Sequence, residues 1–231
     1  MERSTRRPRL DLPQTRMEFA ASWLRESILS GDLTPGERLP LTAIAEQLEM
    51  SLIPVREALR TLASEGLVVP LPHRGYLVQP LTVEDVDNSY ELRILLEPLA
   101  VRRAVPKLDD ADFARLRIEL DEMSRAFRED DWLAYRVHHR AFHFVLYAKS
   151  ESPWLVRFAE MLWVNTQRYQ RLTTRIAGQL QARNREHEAI LRACEARDAE
   201  KASKLMREHL SRAAAKIRNL LEGNEDLLGV G

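Results

Sequence analysis

The residues of this chain that could bind a metal ion are four of its six histidines. His139 and His143 are four positions apart, so on a helix both rings project from one face. His187 and His209 fall on two further predicted helices, which a short turn near Asp198 separates. A helical bundle can bring three such faces to one interior point, where imidazoles suit Zn²⁺, Ni²⁺ or Co²⁺. The pattern alone leaves two interpretations open: a divalent metal site, or a histidine pair that is exposed or lies at the edge of a core.

A second group of residues is suited to binding DNA. Arg56 and Arg60 share one helical face, and Ser51 precedes them as a natural N-cap. Arginine can grip guanine in the major groove, while the free amides at a helix start can hold a phosphate. The flanking turn and wing add further basic residues that can contact phosphates: Arg38, His73 and Arg74. The alternative is that these short helices form only a small packed unit.

The distribution of turn residues shows which elements must position these groups. Eight of the 11 prolines fall in the first 80 residues, and no glycine occurs between Gly75 and Gly178. Apolar stripes before Pro80 predict three helices, and two short apolar runs flank a glycine-ended turn as a β-hairpin. We therefore predict a winged helix-turn-helix domain in residues 14–80, with Ser51 to Ser64 as the helix that reads DNA.

The rest of the chain has a helical pattern. Six helices are predicted, at 83–104, 109–127, 131–149, 154–174, 180–196 and 199–221. Their short connections imply antiparallel neighbours, and hence an all-helical bundle over residues 81–222. The fold class expected is mostly α, a winged helix-turn-helix followed by an antiparallel bundle. Residues 1–13 are expected to form a disordered basic tail, and 223–231 a frayed one.

Composition argues against several classes of protein. The chain has 35 Lys plus Arg and 35 Asp plus Glu residues. It therefore lacks both the net positive charge that would indicate nucleic-acid binding and the acidic excess that would indicate disorder. The longest apolar runs are far below the roughly 18 residues that span a bilayer, and the first residues lack the apolar segment of a secretory signal. Cys194 is the single cysteine, which rules out an internal disulfide. We expect a cytoplasmic protein with no membrane partner.

Several segments follow the patterns of one superfamily. In the first 80 residues they are Thr34-Pro-Gly-Glu-Arg-Leu39, Ser51-Leu-Ile-Pro-Val-Arg-Glu-Ala-Leu-Arg60, Glu65-Gly66-Leu67-Val68 and Arg74-Gly-Tyr-Leu-Val78. These segments resemble the winged helix-turn-helix of GntR-superfamily transcription regulators. The later segments are Tyr90-Glu-Leu-Arg93, Ala141-Phe-His143, Glu186-His187-Glu-Ala-Ile-Leu191 and Met206-Arg-Glu-His-Leu210. They are similar to the helical FCD effector domain of the FadR-like branch of that superfamily.

The resemblance implies a homodimer that binds a palindromic double-stranded DNA operator, and we expect a repressor. The residues expected at the DNA are Arg38, Thr42, Ser51, Leu52, Ile53, Val55, Arg56, Arg60, His73, Arg74 and Gly75. Where the family usually has arginine and threonine after the serine, this chain has Leu52 and Ile53. Arginine on guanine contributes about 1–3 kcal/mol of base discrimination, whereas leucine offers only apolar contact, for instance to a thymine methyl. We therefore predict an altered or weaker operator; the alternative is that Leu52 simply packs and that Arg56 and Arg60 carry recognition.

The FCD resemblance also implies a metal site, because metal-binding members use an aspartate and three histidines. His143, His187 and His209 carry over as the histidines, and His139 stands where the family has the aspartate. Replacing a carboxylate by an imidazole leaves a divalent ion its full charge, which attracts an anionic ligand more strongly. The competing outcome is a weak or empty site in which the histidines bond to one another and to water.

A small organic acid is the effector that the resemblance implies at this site. Arg93 matches the family's helix arginine, and its fork fits a carboxylate with two parallel hydrogen bonds. The alternative is that Arg93 only pairs with Glu97, four residues further along the helix, which contributes little.

These observations predict a ligand-responsive transcription regulator. The rival hypothesis is a metal-dependent enzyme that carries an accessory winged helix. A hydrolase with an HExxH motif places a glutamate between its ligands as general base, but His139-Arg-Ala-Phe-His143 has none. We therefore predict that the protein is not an enzyme.

Overall fold

The structure, a computed structural model, describes residues 15–72, 74–174 and 179–223. The tail predicted for 1–13, all but the first residue of the tail predicted for 223–231, and His73 lie outside the described residues. The chain divides after Leu81 into two compact units. The expected fold class is confirmed, because helices with a small antiparallel sheet are followed by a bundle that is helical throughout its described part.

The described part of the first unit contains three helices and three short strands. In chain order they are α1 (Arg16–Ser30), β1 (Arg38–Leu39), α2 (Leu41–Gln47), α3 (Leu52–Ser64), β2 (Val68–Leu71) and β3 (Gly75–Val78). The strands pair antiparallel in the order β1-β3-β2, with Leu39 opposite Tyr76 and Val69 opposite Leu77. The expected hairpin is present. The sequence does not predict β1, because two residues are too few to show an alternating pattern.

Local signals in the sequence set the ends of these helices. Thr15 accepts the backbone N–H of Glu18 with its hydroxyl, and the Glu18 carboxylate accepts the backbone N–H of Thr15. Gly31 ends α1 in the left-handed conformation that glycine adopts most easily, with φ of 76°. Ser51 is the N-cap residue of α3, but its side chain makes no capping hydrogen bond.

The core of the first unit holds α3 by one face. Leu24 of α1 and Leu59 of α3 are fully buried where the two helices pack together. Burying a side chain of this size contributes about 1.5–3 kcal/mol. Arg25 of α1 also binds both carboxylate oxygens of Glu65, at 2.6 and 2.9 Å, just beyond the end of α3. The opposite face of α3 is left exposed.

The described part of the second unit contains six α-helices and one short 3₁₀ helix. They are α4 (Val83–Ala104), the 3₁₀ helix (Val105–Lys107), α5 (Asp110–Arg128), α6 (Trp132–Ala148), α7 (Pro153–Thr174), α8 (Gln179–Glu195) and α9 (Ala199–Glu222). Every α-helix end agrees with the sequence prediction to within one residue. Thr82, Asp109, Asp131 and Asp198 cap four of these helices by accepting a backbone N–H three residues on.

Helix α4 is central to the second unit and packs against α6, α7 and α9. Pro98 lies inside α4 without ending it. Helix α5 packs against α6 and α8, and α8 packs against α9. This arrangement directs the inner faces of α6, α8 and α9 to one interior region. None of the described helices is both long and apolar enough to cross a membrane.

Candidate functional site

Four histidines converge inside the second unit. His139 and His143 lie on one face of α6, His187 comes from α8, and His209 comes from α9. One ring nitrogen of each lies within 4.8 Å of the corresponding nitrogen of every other. All four side chains are buried. The structure thus brings together the four residues that the sequence suggests as ligands, and we call them the four-histidine cluster.

Tyr147 and Glu97 determine which nitrogen of His143 faces the cluster. Nδ1 of His143 lies 2.9 Å from the hydroxyl of Tyr147, and that hydroxyl donates to Glu97 at 2.5 Å. Because the hydroxyl proton is given to Glu97, the proton between Tyr147 and His143 must belong to Nδ1. Nε2 of His143 is then the unprotonated nitrogen, and it lies 3.0 Å from Nε2 of His187. This is the tautomer that presents a lone pair to a metal ion.

Glu186 fixes His209 in the same way. Its Oε2 accepts the Nδ1 proton of His209 at 2.7 Å, and its Oε1 pairs with Arg212 at 2.8 Å. Although burial acts to raise the pKa of Glu186, the hydrogen bond from His209 lowers it overall, so the carboxylate stays ionised at neutral pH. A carboxylate behind a histidine orients the ring and makes its other nitrogen a better ligand.

The interior of the unit keeps His143 neutral. Burial disfavours the imidazolium and holds the pKa of His143 well below its usual value, and the other three histidines and Arg93 act in the same direction. A neutral imidazole can bind a metal without first losing a proton. Burial, together with the charge of Glu97, raises the pKa of Tyr147 well above its usual value, so its hydroxyl remains a donor.

Arg93 lies beside the cluster with its guanidinium engaged. Its Nε and Nη2 donate to the two oxygens of Glu97 at 2.6 and 3.3 Å, and its Nη1 donates to Thr166 at 3.0 Å. The guanidinium lies 5.1 Å from the ring centre of Trp163, which is itself 5.1 Å from that of His143. Although burial works against the charged form, Glu97 raises the pKa of Arg93, so it stays charged.

The ion pair of Arg93 and Glu97 is more than the weak pair within one helix that the spacing indicates. Both side chains are buried. Glu97 also accepts the hydroxyl proton of Tyr147, so the pair is joined to His143 through one continuous set of hydrogen bonds. The spacing of four residues predicts the contact, but only the packing of α4 against α6 and α7 buries it.

The first unit exposes the outer face of α3. Leu52 and Ile53, at its start, are 41% and 71% exposed, and Arg56 and Arg60 are exposed on the same helix. Leu52 is therefore not a core residue, and its side chain is partly accessible from outside the unit. Four other residues expected at the DNA are exposed as well: Arg38, Thr42, Ser51 and Arg74.

Two residues of the expected DNA surface have structural roles. Val55 was wrongly included, because it is completely buried on the face of α3 that packs into the core and cannot reach DNA. Gly75 has φ of 87°, and a Cβ there would lie 2.7 Å from the carbonyl oxygen of Leu39. The turn and the approach of β1 explain this glycine without DNA. His73 is outside the described residues.

The residues that orient the histidines, Tyr147 and Glu186, were not predicted from the sequence. Tyr147 is four positions after His143, so the spacing alone places it on the same face of α6. Glu186 precedes His187 in the chain but bonds to His209, a contact that only the packing of α8 against α9 creates. His138 bonds to Glu119 at 2.7 Å and does not belong to the cluster.

The two units define a class of protein. An exposed reading helix beside a β wing is the arrangement that enters the major groove of DNA, and the second unit encloses a candidate ligand site. Together they describe a DNA-binding regulator with a helical effector domain. Residues 17–78 match the bacterial regulatory proteins of the gntR family, and residues 88–212 match the FCD domain. The chain belongs to the GntR family of transcription regulators and carries an FCD domain.

Known proteins resemble this chain over both units. The HTH-type transcriptional regulator BphR of Paraburkholderia xenovorans is 31% identical over 84% of this chain and 82% of its own length. The HTH-type transcriptional repressor GlaR of Escherichia coli is 28% identical over 87% of this chain and 96% of its own length. The solved structure of E. coli McbR/YncC gives a TM-score of 0.78 at 28% identity, covering 91% of this chain and 100% of that one.

Proposed function

We propose that this regulator binds a palindromic operator as a homodimer and is controlled by a small carboxylate that binds beside a divalent metal ion in the second unit. Repression is the expected mode, in which the effector changes operator affinity. The observation that carries the proposal is the convergence of four buried imidazoles, two of them with fixed tautomers, next to a buried arginine.

The four-histidine cluster fits a divalent metal ion. Ligand nitrogens of a tetrahedral zinc site are about 3.3 Å apart, given Zn–N bonds of about 2.0–2.1 Å. The Nε2 atoms of His143 and His187 are 3.0 Å apart, and the widest pair of the set is no more than 4.8 Å apart. Small side-chain movements would therefore bring the four nitrogens to the separations of a tetrahedral site. A donor set made only of imidazoles favours Zn²⁺, Ni²⁺ or Co²⁺ over Mg²⁺ or Ca²⁺, which prefer oxygen ligands.

The charge of the site supports an anionic effector. When bound, the ion supplies two positive charges that the four neutral imidazoles do not cancel, together with any coordination positions that they leave open. Arg93 adds a third positive charge, and we propose it as the residue that binds the effector carboxylate. The Nε and Nη2 groups of Arg93 already donate to Glu97. The effector carboxylate must therefore replace Glu97 to form two parallel hydrogen bonds with Arg93.

The exposed face of α3 supports a modified mode of DNA reading. We propose that Arg56 and Arg60 contact base edges or phosphates, while Leu52 and Ile53 contact thymine methyl groups at the position where relatives with arginine select guanine. Ser51, whose hydroxyl makes no capping bond, is available to a phosphate at the helix start.

We infer that the chain is a regulator and not an enzyme. Two carboxylates are hydrogen-bonded to the cluster, Glu97 through Tyr147 and Glu186 directly to His209. Each is also held by an arginine, Glu97 by Arg93 and Glu186 by Arg212. Neither is positioned to take a proton from a metal-bound water in the way that the glutamate of an HExxH site does.

Thermal unfolding with a panel of small organic acids tests the proposal. An acid present at 100 times its dissociation constant should stabilise the zinc-loaded protein by about 2.7 kcal/mol and raise its midpoint. The same acid should not shift the midpoint of His187→Ala, but it should shift that of His138→Ala, which alters a histidine of α6 outside the cluster. Operator binding, measured by fluorescence anisotropy on DNA selected from a random pool, should then change with the acid. A panel in which no acid shifts the wild-type midpoint contradicts the effector proposal.

A further inference from the structure

The outer face of α4 is apolar in its middle and oppositely charged towards its two ends. Leu92 and Leu95 are 48% and 55% exposed, and Leu99 follows one turn later on the same side. Glu91 lies on the N-terminal side of this patch and Arg102 on the C-terminal side, and both are exposed. Their separation of eleven residues is close to three helical turns, so they lie on one face, about 16 Å apart along the axis.

Two grooves between α4 and α9 repeat this pattern of charge. The groove towards the C-terminal end of α4 has a volume of about 370 Å³, and its lining includes three cations and one acid: Arg102, Lys204, Arg207 and Glu200. The groove towards the N-terminal end has a volume of about 390 Å³, and its lining includes two acids and one cation: Asp87, Glu91 and Arg218. Leu95 lines both grooves. A basic hollow and an acidic hollow therefore lie on either side of one exposed leucine.

Contacts within the chain leave this pattern largely intact. Arg102 pairs with Glu200 at 3.6 Å, but both side chains are largely exposed, so the pair contributes little. Arg218 pairs with Asp87 in the acidic groove, and the charge of Glu91 adds to that groove.

We propose that this face of α4 binds a second copy of the chain, around a two-fold axis that passes midway between the positions of Glu91 and Arg102. The inference rests on the homodimer proposed above and names its contact surface. A two-fold axis perpendicular to the helix sets the two α4 helices antiparallel, so that Glu91 of each copy faces Arg102 of the other. The leucines of the two copies then cover each other, and each basic groove meets an acidic one.

Another apolar stripe of the second unit lacks this self-complementarity. It lies on α7 and consists of three exposed side chains, Trp154, Phe158 and Met161. The charged residues beside it, Arg157 and Glu160, are only three positions apart and lie between Trp154 and Met161, so this stripe does not have oppositely charged ends. Charge complementarity therefore favours α4 as the surface that meets a second copy.

Light scattering on the full-length chain tests the surface. The wild type should have about twice the chain mass of 26.7 kDa. Leu95→Glu places two like charges at the centre of the contact and should raise the dimer dissociation constant by about 100-fold. Ile118→Glu on α5 is the matched control, because Ile118 is 52% exposed, and this variant should remain dimeric. A monomeric wild type would overturn the homodimer itself, whereas a dimeric Leu95→Glu variant would overturn only the surface.

A charge exchange between two variants tests the antiparallel pairing. Dimers that form again when the variants are mixed would also show that both variants are folded. Glu91→Arg and Arg102→Glu each set like charges against one another, and each should weaken the dimer by about 10-fold or more. Mixed in equal amounts, the two variants should form heterodimers with close to wild-type affinity. In that pair the substituted residues face each other, and the native Arg102 of the first faces the native Glu91 of the second. Two folded variants that remain monomeric when mixed would overturn the pairing.

Discussion

Removing the carboxylate of Glu186 is expected to weaken metal binding at the four-histidine cluster. Glu186 accepts the Nδ1 proton of His209 at 2.7 Å, and its side chain is only 17% exposed, so water replaces it poorly. Without it, His209 can carry its proton on either nitrogen and its ring is less firmly oriented. Loss of such a partner behind a metal-binding histidine lowers affinity by about 10- to 100-fold, or about 1.4–2.8 kcal/mol.

Two substitutions and a control separate orientation from general disruption. Glu186→Ala removes the acceptor and should lie near the upper limit of that range, whereas Glu186→Gln keeps an acceptor oxygen without the charge and should lie near the lower limit. The matched control is Glu208→Gln, because Glu208 also pairs with Arg212, at 3.7 Å, on the exposed side of α9. This control should bind zinc as the wild type does.

Competition with a chromophoric zinc chelator at pH 7 measures these affinities. The NMR shifts of the imidazole nitrogens supply a second readout, since His209 of the metal-free wild type should carry its proton on Nδ1 and the Glu186→Ala variant should show a mixture. A Glu186→Ala variant that binds zinc as tightly as Glu208→Gln would show that Glu186 does not support His209 as a ligand.

Three further substitutions or probes have defined outcomes. Leu52→Arg should move base preference towards guanine by about 1–3 kcal/mol, measured by selection from random DNA; an unchanged preference would show that this position does not read a base. Gly75→Ala should lower the unfolding midpoint by the equivalent of about 1–3 kcal/mol, because its φ of 87° is strained for alanine and the new Cβ would lie 2.7 Å from the Leu39 oxygen. An unchanged midpoint would contradict that geometry. Burial raises the pKa of the Cys194 thiol to about 12, so it should react with a thiol reagent only when the protein unfolds. Rapid reaction of the native protein would contradict the burial.

The helices were largely predictable because their signals are local. An aspartate or threonine in front of each apolar stripe gives the start of α4, α5, α6 and α9, and these ends agree with the structure to within one residue. Strand β1 has only two residues and forms through pairing with β3, which is distant in sequence. The prediction that Val55 contacts DNA was wrong for another reason. It was carried over from the family's DNA-contact pattern, whereas the position of Val55 on its helix places it in the core.

The histidine site was predictable in part. The spacing of His139 and His143 places both on one face of α6, but the meeting of that face with α8 and α9 is a property of the whole bundle. The roles of Tyr147 and Glu186 depend on proton positions set by contacts between helices. The burial of Arg93 and Glu97 likewise depends on helices distant in sequence, so their spacing could indicate a pair but not its environment.

The four-histidine cluster is tested most directly by elemental analysis of protein purified without a metal-affinity tag, beside the His187→Ala variant. We expect about one equivalent of zinc, nickel or cobalt per wild-type chain, and loss of that metal from His187→Ala, because a missing ligand weakens the site. Wild-type protein that holds none of the three ions, even after incubation with each and removal of the excess, would contradict the metal-dependent account of this regulator.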